Sequence, residues 1–231
     1  MDQAWLKISD AKNDPDSGEG EKATEFSVTR GRRRSSIKRN EILQVAREQF
    51  LANGYDGTSI DSIVDIIGGS KSTIYSHFGN KESLFAAVIR NTGHTADAPD
   101  FPLINGNVRD ELVAFAENRL RRVLSPLNIG IMRIVIAEAQ RLPQIAELFY
   151  RNAPEPTYVS LRAYLEVAVA RKQLAIDDIE EAADLFIGGL IQRHLLARLF
   201  CVEGALSVTD IQAKAERVVD LFISKHSLAT T

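Results

Sequence analysis

Apolar residues recur at helical spacing along most of the chain, and no stretch alternates apolar and polar positions as a half-buried strand does. This period predicts an all-α protein. The predicted helices cover about residues 37–52, 60–67, 70–78, 81–92, 108–124, 128–141, 143–151, 155–172, 179–200 and 209–226. Pro99, Pro102 and Gly106 place a loop between the fourth and fifth helices, which makes it the predicted domain boundary.

Two short helices joined by glycines lie between residues 58 and 78. Thr58 or Ser59 can cap the first helix, Gly68 and Gly69 break it, and Ser70 can cap the second. Two short helices joined by such a turn are typical of a helix-turn-helix, whose second helix enters the major groove of DNA. The sequence therefore predicts a recognition helix over residues 70–78.

The two sides of this recognition helix differ in character. Ile74 and Phe78 are four residues apart, so both can point into a core. The residues left to point outward are Lys71, Ser72, Thr73, Tyr75 and His77. We expect this outer side to carry hydrogen-bonding groups and one positive charge without a carboxylate, a combination that suits a polyanion.

These residues resemble the DNA-binding domain of the TetR/AcrR family of bacterial transcriptional regulators. The matching positions are Gly54-Tyr55, Thr58, Ser70-Lys71, Thr73-Ile74-Tyr75, Phe78, Lys81-Glu82 and Leu84, within about 50 residues of the chain. The chain departs from the family at Gly69, where a valine is usual, and we expect this change to remove a small core contact.

The resemblance implies roles for single residues on the DNA-binding side. It assigns Thr58, Tyr75 and Lys81 mainly to phosphate contacts. Candidates for base edges or further phosphates are Ser70, Lys71, Ser72, Thr73 and His77. It also implies an N-terminal three-helix DNA-binding domain, with a C-terminal helical domain for ligand binding and dimerisation. The expected function is a homodimeric regulator, more a repressor than an activator, that a small-molecule effector releases from a near-palindromic double-stranded DNA operator.

Charge is divided unevenly along the chain. The net charge is −3, yet residues 30–90 hold 10 Lys and Arg against 6 Asp and Glu. Positive charge therefore accompanies the predicted DNA-binding domain over 30–92. Arg32, Arg33 and Arg34 can form a basic arm that reaches phosphates or a minor groove, or a solvated tail that adds only nonspecific attraction. Residues 1–29 are acidic and polar, and we expect a disordered tail.

The last two predicted helices carry more apolar residues than one exposed surface would hold. The residues assigned to a dimer interface are Phe186, Ile187, Gly188, Gly189, Leu190, Ile191, Leu195, Val218 and Phe222. In the family this helix pair forms a four-helix bundle with its copy in the partner. The alternative is that these residues only close the core of the monomer.

A ligand pocket in the predicted body over 93–231 is implied mainly by the family. Residues 128–141 are apolar on nearly all sides, which predicts a helix buried at the centre of the body. The polar candidates for a pocket are Arg133, Glu138, Tyr150, Tyr158 and His194. Alternatively, Arg133 and Glu138 pair with neighbours or face solvent, and His194 lies in a core or an interface.

The sequence gives little support to other classes of function. The single cysteine, Cys201, lies seven residues after His194, but nothing supplies an oxyanion hole or an orienting group for catalysis. The sequence shows no metal or cofactor motif and no apolar run of about 20 residues. No signal peptide is evident at the start, so we expect a cytoplasmic protein without membrane contact. The rival functions are a module of this fold without operator recognition and a small helical enzyme.

Overall fold

The computed structural model describes residues 19–93, 106–202 and 204–228, with side chains from Lys38 onward. The chain divides into two compact units, residues 1–41 and 42–231, and the packing discussed below lies within the second. The described residues contain helices and turns and no strand, so the predicted all-α fold is confirmed. None of the described helices is both long enough and apolar enough to cross a membrane.

Ten helices follow one another in the described ranges. They are α1 (Glu19–Gly57), α2 (Ile60–Ile67), α3 (Lys71–Phe78), α4 (Lys81–Gly93), α5 (Val108–Val123), α6 (Pro126–Glu138), α7 (Pro143–Asn152), α8 (Pro154–Ala170), α9 (Ile179–Leu199) and α10 (Val208–His226). From α2 onward, both ends of each helix lie within three residues of the predicted limits.

The first helix is the exception. It begins at Glu19, so it includes residues 19–29 of the segment expected to be a disordered tail. Residues 1–18 of that tail lie outside the described residues. No proline interrupts residues 19–57, and the Glu, Lys, Ala and Arg in this stretch favour a helix. The predicted end at Asn53-Gly54 corresponds to a kink, because Gly54 leaves the helical conformation with φ 71°.

Two apolar cores hold residues 42–231 together. The first contains buried residues from the end of α1, from α2, α3 and α4, and also Ile131, Val135, Ile145 and Phe149 from α6 and α7. The second unites α5, α8, α9 and α10 around Leu112, Leu161 and Phe186. The helix-turn-helix therefore shares its core with two helices of the body.

Helix α6 is not buried on all sides as the sequence predicts. Ile129, Ile131 and Val135 are buried, and the last two belong to the first core, but Arg133 is exposed and Ile136 has 58% of its surface exposed. Helix α6 therefore packs into the first core on one side and exposes residues on another.

Side chains cap the first turns of α9 and α10. Asp178 caps α9, and its carboxylate accepts a hydrogen bond of 2.9 Å from the N–H of Glu181. Ser207 caps α10 in a capping box with Asp210. Both caps satisfy backbone donors at the helix ends.

Candidate nucleic-acid interface

A short turn after α1 sets the start of the helix-turn-helix. The positive φ of Gly54 belongs to a left-handed backbone conformation that favours glycine, so the chain can turn there. The ring of Tyr55 packs against those of Phe50 and Phe85, at centroid distances of 5.8 and 5.3 Å. The hydroxyl of Thr58 donates a hydrogen bond of 2.8 Å to the carbonyl oxygen of Gly54. These contacts fix where α2 begins.

Both short helices start with a serine cap. Ser59 accepts a hydrogen bond of 3.0 Å from the N–H of Ser62, whose hydroxyl accepts one from the N–H of Ser59. Ser70 accepts a hydrogen bond of 3.3 Å from the N–H of Thr73 and so caps α3, as the sequence predicts. The caps satisfy backbone donors that would otherwise lack partners at the helix ends.

The turn between α2 and α3 depends on its two glycines. Gly68 has φ 67° and Gly69 has φ 147°, and residues with side chains rarely adopt either value. A valine at position 69 would strain the backbone of this turn. Glycine at position 69, where the family usually has valine, therefore suits the backbone conformation of this turn.

Helix α3 has a buried side and an exposed side, as its pattern predicts. Only 2% of the surface of Ile74 and 8% of the surface of Phe78 is exposed to solvent, and both residues belong to the first core. Ser72 and Tyr75 are exposed, and Thr73 and His77 are partly exposed. The outward side thus presents hydroxyl groups and an imidazole, which can donate to phosphates and base edges.

Lys71 is held by a carboxylate of the neighbouring helix, which the sequence pattern does not predict. Its Nζ lies 2.6 Å from the Oδ1 of Asp61 in α2, and both side chains are 58% exposed. The hydrogen bond to Asp61 and its negative charge raise the pKa of Lys71. The outward residues of α3 carry no carboxylate of their own, but Asp61 of α2 lies beside the start of α3 and adds one to this surface.

Lys81 and Thr58 occupy a different environment from the exposed residues of α3. The Nζ of Lys81 lies 4.4 Å from the centroid of the Tyr55 ring, and burial lowers the pKa of this lysine. Thr58 has only 1% of its surface exposed, and its hydroxyl is bonded to Gly54. In this structure the side chain of Thr58 is unavailable to a phosphate, and its role is to close the turn.

The predicted basic arm lies within α1. Arg32, Arg33 and Arg34 are helical in their backbone, and their side chains fall outside the described part of the structure. Their contact with DNA stays a prediction.

A cavity of about 450 Å³ opens in the body between α4, α5, α6, α8 and α9. Its size lies in the usual range for small-molecule sites. The residues that line it are Thr92, Arg119, Arg121, Arg122, Val123, Ser125, Leu127, Asn128, Met132, Ala153, Pro154, Thr157, Tyr158, Ile187, Ile191 and Leu195. Because Thr92 belongs to the last turn of α4, the cavity touches the helix that continues from the helix-turn-helix.

Only Tyr158 among the predicted pocket residues lines this cavity. Arg133 is exposed and donates hydrogen bonds to the carbonyl oxygens of Arg198 and Leu199. Glu138 lies 2.6 Å from Arg141, and Tyr150 is 55% exposed.

His194 lies on α9, which ends at Leu199, so Cys201 lies beyond the helix that carries His194.

Arg119 lines the cavity but is not among the pocket residues predicted from the sequence, although its position carries a signal. Arg119 lies three residues after Ala116 and four after Phe115, on the apolar stripe of α5.

The structure also reassigns most of the residues predicted for a dimer interface. Phe186, Ile187, Leu190 and Phe222 are buried in the second core of the monomer, and Ile191, Leu195 and Val218 pack against it. Gly188 is partly exposed and Gly189 is exposed. The large apolar side chains that remain exposed are Leu185 and Leu196 on α9 and Val208 and Leu221 on α10. The interface prediction follows the most apolar side of each helix, and in the structure that side faces the core of the monomer.

Two family models match the chain. The model of the "AefR-like transcriptional repressor, C-terminal domain" matches residues 110–225, half of the chain. The model of "Bacterial regulatory proteins, tetR family" matches residues 42–88, which include the helix-turn-helix.

Individual proteins agree with these models. The DNA-binding transcriptional repressor TetR of Mycobacteroides abscessus is 28% identical over 182 residues, which cover 74% of this chain and 92% of that protein. A TetR-family transcriptional regulator from Mesorhizobium loti superposes with a TM-score of 0.73 at 25% identity, over 84% of this chain and 99% of its own. The flavonoid-responsive regulator FrrA gives a TM-score of 0.71 at 29% identity, over 84% and 100%.

Proposed function

The chain belongs to the TetR family of transcriptional regulators, as its helix-turn-helix residues predict, and on that premise we propose that it represses transcription by binding a near-palindromic operator as a homodimer. The family consists of DNA-binding regulators and not of enzymes. A small-molecule effector bound in the body would release the operator. Since the target is bacterial DNA, the proposal places the protein in the cytoplasm.

The arrangement of α3 supports operator binding most directly. Its apolar residues Ile74 and Phe78 are buried, so Lys71, Ser72 and Tyr75 stand on the outside of a helix that two caps and a core hold in place. A fixed helix with exposed donors can enter a major groove without reorganisation of the domain. We assign base-edge contacts to Lys71 and Ser72 and a phosphate contact to Tyr75, with Ser70, Thr73, His77 and Lys81 beside them.

Dimerisation is proposed through the outward sides of α9 and α10. Leu185, Leu196 and Leu221 are 56%, 45% and 74% exposed. Gly188 and Gly189 leave space on the same helix, since a Cβ added at either would meet no atom within 4 Å. Two recognition helices related by a two-fold axis would read two operator half-sites.

Effector release is proposed to act through α4. The cavity in the body touches Thr92 at the end of this helix, and α4 begins directly after the recognition helix. The description of the neighbour FrrA as flavonoid-responsive supports a small organic effector for this fold. A ligand that binds one orientation of α4 more tightly would shift the protein away from the DNA-binding state by that difference in affinity.

A gel-shift assay with genomic fragments from beside the gene tests operator binding. Lys71→Ala and Tyr75→Phe should each weaken specific binding, Lys71→Ala by about 1–3 kcal/mol if the lysine contacts a base. Lys172→Ala is the matched control, because it removes the same charge at an exposed turn after α8. Binding should also weaken steeply as salt rises, since phosphate contacts release counterions.

The outcome separates the proposal from a module of this fold that has lost operator recognition. Such a module would shift no fragment specifically at any salt concentration. If Lys71→Ala and Tyr75→Phe bound like the parent protein, the assignment of the recognition surface would be wrong even with specific binding intact.

A further inference from the structure

The cavity in the body has a lining of one charge sign. Among its described lining residues, every charged side chain is an arginine: Arg119, Arg121 and Arg122. The rest of the wall is mostly apolar, with Leu127, Met132 and the isoleucines of α9. A cavity of this kind offers an apolar interior with positive charge on one wall.

Arg119 is the arginine that the fold places inside. Only 5% of its surface is exposed, and its guanidinium carbon lies 5.7 Å from the ring centroid of Phe115, which is itself buried. A guanidinium stays protonated in proteins, so burial cannot remove its charge. Arg121 differs, since it is exposed and its Nη2 lies 2.7 Å from Glu117.

Tyr158 adds a hydrogen-bond donor to the same cavity. Burial is the main cause that raises the pKa of its hydroxyl, and the charge of Asp184 raises it further. The hydroxyl therefore stays protonated and can donate to an anion.

We propose that the effector is an amphipathic monoanion, with an apolar body in the cavity and a carboxylate or similar group that meets Arg119. This inference rests on the proposed effector-responsive function and names the ligand class of that site. The volume of about 450 Å³ corresponds to a body on the order of fifteen non-hydrogen atoms, at about 30 Å³ each. A planar guanidinium can hold a carboxylate with two parallel hydrogen bonds, which an alcohol or an ammonium head group cannot accept.

Three probes of equal chain length test the charge preference: decanoate, decan-1-ol and decylamine, each below its self-association concentration. Isothermal titration calorimetry on the full chain without DNA measures their affinities. We expect decanoate to bind at least about tenfold more tightly than either of the other two. Absence of decanoate binding, or equal affinity for the three probes, would overturn the inference.

Variants of two arginines locate the preference. Arg119→Met should reduce the ratio of decanoate to decan-1-ol affinity about tenfold, while Arg119→Lys, which keeps the charge but loses the paired hydrogen bonds, should reduce it by less. Arg151→Met is the control, because it removes an equal charge from an exposed position that does not line the cavity. An unchanged ratio in Arg119→Met would refute the role of this residue. If Arg119→Met fails to fold in circular dichroism, the probe series on the parent protein and on Arg119→Lys decides.

The calorimetric result is independent of operator binding. Specific DNA binding without a preference for decanoate would refute the inference and leave the proposed function standing. A clear preference for decanoate in a protein that shifts no DNA fragment would support the inference and refute the proposed operator binding.

Discussion

Thr58→Val should destabilise the DNA-binding domain while leaving its outer surface unchanged. Thr58 has 1% of its surface exposed, and its hydroxyl donates a hydrogen bond of 2.8 Å to the carbonyl oxygen of Gly54. Valine has nearly the shape of threonine, so the change removes the hydrogen bond without leaving a cavity. A net loss of about 1 kcal/mol is expected from one such bond.

Thermal unfolding followed by circular dichroism measures this loss. For a chain of 231 residues, about 1 kcal/mol corresponds to a midpoint lowered by roughly 2–4 °C. Protein concentration must be equal in all samples, because dimerisation alone shifts the midpoint. Thr209→Val is the matched control, since Thr209 is exposed in the first turn of α10 and its change should alter the midpoint little.

The gel shift of the same variant distinguishes the two roles considered for Thr58. If its hydroxyl closes the turn, folded Thr58→Val should bind DNA nearly as well as the parent protein below the unfolding midpoint. An unchanged midpoint combined with a large loss of DNA affinity would refute the reasoning, since it would show that the hydroxyl contacts a phosphate.

Three further changes test other contacts. Asp61→Asn should tighten DNA binding several-fold in gel shifts at low salt, because it removes the carboxylate that holds Lys71; weaker binding would contradict this. Leu221→Glu should give a monomer in size-exclusion chromatography with light scattering, since a charge would lie in the proposed interface; an unchanged dimer mass would refute that interface. Arg141→Met should accelerate amide hydrogen exchange in α2, because it removes the 2.6 Å contact with Asp56; equal exchange would argue against this link.

The sequence predicts the helix-turn-helix well because its local signals agree with its packing. The cap at Ser70 and the spacing of Ile74 and Phe78 are both short-range features, and each appears in the structure as predicted. The pairing of Lys71 with Asp61 joins two helices across a turn, so no spacing rule along one helix reveals it. Local patterns locate the recognition helix but not the charges around it.

The packing of the body is harder to predict. The helical spacing of apolar residues identifies the buried side of each helix, but it does not show which helix packs against that side. Phe186 and Phe222 satisfy the pattern of a buried side, and the structure uses that side for the monomer core. Tyr158 and Arg119 come from α8 and α5, so the cavity they line depends on how distant helices pack. The sequence shows only that a charge lies on the apolar stripe of α5.

The shared first core bears on how an effector could move the recognition helix. Effector release is proposed above to act through α4, yet α6 and α7 pack into the same core as α2 and α3. A Cβ added to Gly130 of α6 would lie 2.5 Å from the Cδ2 of Leu51 in α1, so these two helices pack closely and a larger residue would displace the Leu51 side chain. Arg141, which follows α6, also contacts Asp56 in the turn before α2. Since a packed core transmits displacement and does not deform freely, a ligand that moves α6 at Met132 would move the helix-turn-helix even with α4 fixed.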